Sequence, residues 1–230
     1  MSVWAIVPTA GTGERFGGTK PKPLADLNGK PVIARTLLAL EACVDIDSIV
    51  VVAHTDWIKD YQDVVRKYKL SKVKAVVAGG ATRTQSVRQG LVAVGKLACT
   101  VMVHDGVRPL VSSSIIQRGL DAVNATGAAV AAVRVKPTIK VVELMTGLVQ
   151  ETLDRDLLWE IQTPQIFERR LLERAYAADQ DGASDDAALV ERLGVAVKVF
   201  EGAYTNIKIT TPEDMLVAQA FLANISSPED

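Results

Sequence analysis

Trp4-Ala5-Ile6-Val7, followed by Pro8-Thr9-Ala10-Gly11-Thr12-Gly13-Glu14-Arg15 and running on to Lys20-Pro21-Lys22, is the stretch whose reading decides the fold. Four apolar residues suited to a strand lead into a loop rich in glycine, proline and lysine. In such a loop a missing Cβ lets backbone N–H groups approach phosphate oxygens. Arg15 and Lys22 would add cationic partners for the same phosphates. Gly11, Gly13 and Gly17 miss the dinucleotide spacing G-x-G-x-x-G by one, and no G-K-[ST] follows, so this is not a Walker loop either. Lys20 and Lys22 flank a proline, which makes the loop long, extended and basic, suited to wrapping a triphosphate. A structural loop with incidental glycines is the competing reading.

Outward from that loop, short β-branched runs alternate with helical patterns, the signature of a parallel α/β sheet. Val32 to Cys43 has Ile33, Leu37, Leu38 and Leu40 at helical spacing. Strands are expected at Ile49 to Ala53, Val73 to Ala78, Val101 to Val103 and Ala128 to Val133, with helices over Trp57 to Tyr68, Thr84 to Val94 and Ile115 to Asn124. The rhythm then changes. Thr138 to Val142 and Leu148 to Thr152, joined through Met145-Thr146-Gly147, read as a β-hairpin inserted into the α/β pattern. A lone hairpin is marginal in water, so it should pack on something, plausibly a second subunit. Helices follow at Leu171 to Ala178 and Asp185 to Leu193, strands at Val195 to Phe200 and Asn206 to Thr210, and Pro212 opens a last helix. We expect a single domain over residues 1–230 with a β-arm at about 136–155.

At 230 residues, 48% hydrophobic and 23% charged, with a formal net charge of -1, the composition is that of an ordinary soluble enzyme. A general nucleic-acid binder would carry a basic excess. Cys43 and Cys99 are far apart and the only histidines are His54 and His104, which speaks against a zinc site. No cationic segment precedes the first strand and no apolar run approaches bilayer length, so a cytoplasmic protein is expected, with no membrane partner.

Four further places bear chemistry. Asp105 ends the fourth strand, where ligands gather in open α/β sheets. A carboxylate beside a triphosphate is a natural Mg²⁺ ligand, although a turn or cap role suits it as well. Arg108, three residues on, would hold a second anion. Gly79-Gly80-x-x-Arg83-x-x-Ser86 permits close approach, with Ser86 available to a base or ribose; cap-and-turn chemistry explains it nearly as well. Asn206, Lys208 and Thr210 share one face of a short alternating run, where a solvated edge lysine is the competing reading. Thr163-Pro164-Gln165 reads as a rigid turn able to orient a substrate. Asp185-Asp186 suits a helix start better than a metal.

Taken in order, Pro8-x-Ala10-Gly11-x-Gly13-x-Arg15 with Pro21-Lys22, His104-Asp105-x-x-Arg108-Pro109, Thr163-Pro164-Gln165 and Asn206-Ile207-Lys208 resemble the 2-C-methyl-D-erythritol 4-phosphate cytidylyltransferase family of the non-mevalonate isoprenoid pathway. The likeness runs from about Val3 to Leu222. It implies a Rossmann-like nucleotidyltransferase fold, with a mostly parallel twisted sheet flanked by helices and an inserted hairpin arm. It also implies CTP and methylerythritol phosphate as substrates, Mg²⁺ as cofactor, and a homodimer joined through the arm. By resemblance, Arg15, Lys22 and Lys208 are catalytic. Ala10, Gly11, Gly13, Gly79, Gly80, Ser86 and Asp105 bind the nucleotide, and Asp105 also binds the metal. Arg108 and Thr163 contact the sugar phosphate, while Thr138 and Arg155 do so from the partner's arm. Thr9, Pro23-Leu24, Gly106-Val107 and Pro137 depart from the usual pattern. Pro137, beside Thr138, keeps a ribitol or other alditol phosphate open as the alternative acceptor. A nicotinamide oxidoreductase would want the glycine fingerprint and an acid ending the second strand, which here ends Ala53-His54.

Overall fold

A parallel sheet covered on both faces needs strands that are apolar on both faces. The computed structural model, which describes residues 2–10, 21–179 and 183–226, shows such strands at the centre of the molecule. In chain order the elements are β1 (Ser2–Pro8), β2 (Asp26–Leu27), β3 (Lys30–Pro31), α1 (Val32–Ala42), β4 (Ser48–Ala53), α2 (Ile58–Lys67), β5 (Val73–Ala78), α3 (Arg83–Ala93) and β6 (Ala98–Val103). There follow α4 (Ser113–Thr126), β7 (Ala128–Arg134), β8 (Lys140–Val142), β9 (Val149–Thr152), β10 (Trp159–Glu168), α5 (Arg169–Ala178), α6 (Asp186–Glu191), β11 (Lys198–Glu201) and α7 (Pro212–Ser226).

Seven of the strands form one sheet in the order β5-β4-β1-β6-β10-β7-β11. β1 pairs parallel with β4 and β6, and β11 parallel with β7, while β10 runs antiparallel between β6 and β7. The period-2 alternation of the strands sorts their side chains onto two cores. Val7, Val51 and Met102 face α1 and α4; Ile6, Val50, Val52 and Val103 face α3 and α5. A third, smaller cluster joins Leu27, Val32, Leu110 and Ile209 to Ala218 of α7.

This topology fixes where a ligand goes. From β1 the chain moves outward through β4 to β5, then returns to β6 on the other side of β1. That reversal opens a crevice at the carboxyl ends of β1 and β6, where Thr9 and Asp105 stand.

Three sequence expectations change. No strand was expected over 159–168, yet β10 spans it, and Thr163-Pro164-Gln165 is a bulge in that strand rather than a turn. Its pairing with β7 skips from Ile161 to Gln165, and the Thr163–Pro164 peptide is cis. Conversely, Asn206 to Thr210 forms no strand. The side chains around it alternate all the same, with Ile207 and Ile209 in the small cluster and Lys208 and Thr210 on the crevice. The hairpin β2–β3 was unforeseen. It turns on Asn28 and Gly29, both at positive φ, the pair favoured in two-residue hairpin turns.

The arm forms as expected: β8 and β9 pair antiparallel as a separate two-stranded sheet. Its apolar side chains Leu144, Met145, Leu148 and Val149 are exposed in this chain.

Candidate active site

The crevice holds a cleft of about 870 Å³, lined by Pro8, Thr9 and Ala10 from the end of β1, Lys22, the Gly79–Arg83 loop, Ser86, Asp105, Lys208 and Thr210. That volume suits a nucleotide-sized ligand. Gly11, Gly13 and Arg15 lie outside the described residues.

Asp105 is the electrostatic centre. Its side chain is 8% exposed and meets two cations: Arg83 Nε donates to Oδ1 at 3.1 Å, and Lys208 Nζ lies 2.8 Å from Oδ2. Burial alone would raise the Asp105 carboxyl, but Arg83 and Lys208, with Arg108 beyond, outweigh it and hold the group well below the usual carboxylate range. Asp105 is therefore an anion at any ordinary pH. Lys22 enters beside the segment that carries Lys208, with Nζ donating to Thr210 O at 3.3 Å. Lys22, Asp105 and Lys208, three residues far apart in sequence, thus share one cleft.

Beneath the cleft floor a buried polar layer holds Asp105 in place. Thr163 Oγ1 accepts the Asp105 N–H at 3.0 Å and lies 3.1 Å from His104 Nδ1, while His104 Nε2 lies 3.1 Å from Arg108 O. A carbonyl only accepts, so Nε2 carries the proton; Nδ1 is then bare and takes the Thr163 hydroxyl proton. Burial, despite the Arg108 carbonyl and Asp105 favouring the charged ring, pushes His104 down to about 4, so the ring is neutral. Arg108 is itself buried; its Nη1 donates to Asn206 O at 2.7 Å, and Asn206 Nδ2 donates to Gln162 Oε1 and Thr163 O. The bulge in β10, the strand end at Asp105 and the segment bearing Lys208 are thereby sewn together.

The Gly79–Gly80 loop approaches the end of β1 closely. A Cβ on Gly79 would sit 2.6 Å from Ala10 Cβ and 2.7 Å from Ser86 Oγ, so no larger residue fits there. The Ser86 hydroxyl donates to Thr82 O at 2.9 Å and accepts from Gly80 N at 3.2 Å. As it stands it shapes the loop, with one lone pair left for a ligand.

The structure therefore brings Ala10, Lys22, Gly79, Gly80, Ser86, Asp105 and Lys208 to the cleft. Arg108 and Thr163 lie one layer below it, both buried. Thr138 and Arg155 are exposed on or beside the arm, away from this chain's cleft; Arg155 Nη1 donates to Lys136 O at 3.2 Å. The sequence reading assigned no role to His104 or to Arg83. The spacing Gly79-Gly80-x-x-Arg83 set that arginine at the mouth of a loop already suspected, which was the available signal. Asp185 and Asp186 divide. Asp185 caps α6, accepting from Ala188 N at 2.9 Å, as expected, whereas Asp186 is buried and pairs with Arg83.

Among the described residues that line the cleft, Asp105 is the one carboxylate able to serve as a metal ligand. Among the described residues no three His, Cys, Asp or Glu side chains cluster to hold an ion, and no helix is long and apolar enough to cross a membrane.

Comparison with known proteins identifies a family. Residues 3–224 match the family model described as IspD: 2-C-methyl-D-erythritol 4-phosphate cytidylyltransferase. The chain is 46% identical over 224 residues to the protein of that name from Syntrophus aciditrophicus, covering 96% of this chain and 95% of the relative. It is 44% identical over 220 residues to the one from Dehalococcoides mccartyi, covering 96% of each. Among solved structures it resembles the 4-diphosphocytidyl-2C-methyl-D-erythritol synthase of Anaerococcus prevotii, with a TM-score of 0.84 at 32% identity over 96% of this chain and 98% of that one. It also resembles the Thermus thermophilus 2-C-methyl-D-erythritol 4-phosphate cytidylyltransferase, with a TM-score of 0.78 at 30% identity over 97% and 100%. On its sequence over nearly its whole length, and on the fold and cleft that sequence builds, this chain belongs to the 2-C-methyl-D-erythritol 4-phosphate cytidylyltransferase family.

Proposed function

We infer that the protein couples 2-C-methyl-D-erythritol 4-phosphate to CTP, giving 4-diphosphocytidyl-2-C-methyl-D-erythritol and pyrophosphate. The observation that carries this reading is the convergence of Lys22, Lys208 and Asp105 on one cleft at the carboxyl ends of β1 and β6, beside the Gly79–Gly80 loop.

The acceptor phosphate is already ionised near neutral pH, so its oxygen attacks the α-phosphorus of CTP in line and needs no protein base. The barrier is repulsion between anions and the charge that builds on the α-phosphate. Preorganised cations offset that charge. Lys22 and Lys208 supply positive charge to the cleft, with Arg15 assigned alongside them by family resemblance. Ala10, Gly79, Gly80 and Ser86 form the nucleotide side, with Gly11 and Gly13 assigned to it by family resemblance. Arg108 and Thr163 belong to the acceptor side, where in this structure they brace Asp105 and the Lys208 segment.

Mg²⁺ suits Asp105, the one carboxylate that the described residues bring to the cleft. Each Asp105 oxygen meets one cation and keeps a lone pair, and Mg²⁺ shares most of its shell with water and phosphate oxygens. Bound there, it would neutralise phosphate charge. The protein would work as a single-domain cytoplasmic homodimer, its arm carrying Thr138 and Arg155 to the partner's acceptor site. The exposed apolar residues of the arm support that pairing.

The relatives and structures compared above carry the methylerythritol name, so a ribitol phosphate acceptor gains no support from them. A pyrophosphate-release assay crossing the four nucleoside triphosphates with methylerythritol phosphate and ribitol phosphate tests the reading. Release confined to CTP with methylerythritol phosphate is expected. Preference for a purine triphosphate, or for ribitol phosphate, refutes it.

A further inference from the structure

Asp105 is gripped by two cations of different standing. Lys208 is 41% exposed, whereas Arg83, in the first turn of α3, is held from behind. Arg83 Nη2 lies 2.8 Å from Asp186 Oδ2, and Asp186 is 1% exposed. The other oxygen of Asp186 accepts the Tyr176 hydroxyl proton. Burial and the Asp186 charge raise the Tyr176 phenol, so it stays a donor. Arg83 is thus held between two carboxylates, hydrogen-bonded through Nε to Asp105 and ion-paired through Nη2 with Asp186.

The charge on Asp186 is not explained by helix capping, since Asp185 already caps α6. Nor does stability account for it well: a buried ion pair is often replaced by packed apolar residues with no loss of stability. What the pair does provide is direction. An arginine with a single carboxylate partner swings about its long side chain, and one held between two carboxylates is far more restricted. The preceding residue braces the other flank of the site. Asp185 Oδ2 accepts from Gln165 Nε2 at 2.8 Å, on the bulge whose Thr163 carries the Asp105 N–H.

We propose that Asp186 is a positioning residue for nucleotidyl transfer, acting through Arg83 to fix the direction in which Asp105 presents its oxygens to the cleft. The proposal rests on the cytidylyltransferase reading above and adds Arg83 and Asp186 to its working parts.

Asp186→Asn keeps the size of the side chain and removes its charge. Turnover should fall by on the order of 10²-fold, the usual result of a displacement of about 1 Å near a reacting centre. The KM for the acceptor phosphate should stay within about threefold, because that substrate meets other residues. A crystal structure of the variant should show the Asp105 carboxylate turned from its present position. Arg83→Met combined with Asp186→Leu removes both charges; it should regain most of the stability that Arg83→Met alone loses, yet stay slow. Recovery of turnover together with stability would make the pair merely structural and end the proposal. So would a wild-type turnover number in Asp186→Asn, or an unmoved Asp105. Should the double variant fail to fold, Asp186→Asn decides alone. The wild-type enzyme run beside them with CTP and methylerythritol phosphate keeps the two readings apart. Its inactivity would sink the activity assigned above, while the crystallographic position of Asp105 would still judge the clamp.

Discussion

Thr9 and Gly106 show how finely the floor of the cleft is packed. Both depart from the pattern of the family the chain resembles, and a Cβ on Gly106 would fall 2.4 Å from Thr9 Cγ2 and 2.9 Å from Ile33 Cδ1. The Thr9 methyl occupies the space that a side chain at position 106 would need. Gly106→Ala should therefore cost about 1–3 kcal/mol by overpacking. In a Thr9→Ala background it should cost less by about 0.5–3 kcal/mol, since only the flexible end of Ile33 and, slightly, Val7 Cγ1 must yield. Denaturant titration of the four proteins in the cycle measures this, and simple additivity would show that the two positions do not compensate. His104 gives a second test at this scale. Its folded pKa of about 4 lies below the ordinary histidine value of 6.5. Between those limits the unfolded chain binds a proton that the native one refuses, so stability should fall as pH drops from about 6.5 towards 4, by at most about 1.4 kcal/mol per pH unit. Asp105, depressed in the folded state, adds its own loss only below that window. His104→Gln should flatten the slope; an unchanged slope would assign it to other groups. Lys22, Asp105 and Lys208 could be read in the sequence because each sits in a short motif. The bond from Arg83 to Asp186 could not, because nothing local announces a partner on a distant helix.

At the scale of elements, the sequence disclosed those whose residues are governed by period and lost those governed by tertiary bonding. β1, β4 and β7 are apolar runs bounded by turns, and they appear where expected. β10 escaped because Pro164 cannot donate to a ladder, which reads as a break. The fold answers with a bulge that spares the proline any pairing. The Asn206–Thr210 run misled in the other direction. It alternates like a strand, but it lies on the site rather than in a sheet, held by Ile209 N to Val107 O at 2.9 Å and by Asn206. The Asn28-Gly29 turn was legible and was overlooked. Asn206 is fully buried and joins Gln162, Thr163 and Arg108. Asn206→Ala should thus destabilise the protein by about 1–3 kcal/mol through unpaired buried groups. It should also lower turnover by loosening the segment that carries Lys208. A variant destabilised to this extent but fully active would mean that Lys208 is held by α7 packing alone.

For the whole molecule the open question is what the arm is for. Its two strands pair only with each other, and Leu144 and Met145 at its tip are almost fully exposed. An isolated hairpin of this size is marginal in water, and an apolar tip calls for a covering surface. A second copy supplies one, and in a twofold dimer each arm would carry its Thr138 and Arg155 into the other subunit's cleft. Complementation tests this directly. Lys22→Ala should lower turnover by about 10²–10³-fold as the loss of one charge-stabilising donor. Arg155→Ala should weaken acceptor binding without touching the cleft of its own chain. If the arm works in trans, a heterodimer of the two variants has one cleft with both Lys22 and a partner Arg155. An equal mixture allowed to exchange subunits should then regain about a quarter of wild-type sites. If the arm folds back onto its own chain, every cleft in the mixture carries one defect or the other, and activity stays at the average of the two variants. Regain of activity therefore depends on the geometry of the assembly and on nothing within a single subunit.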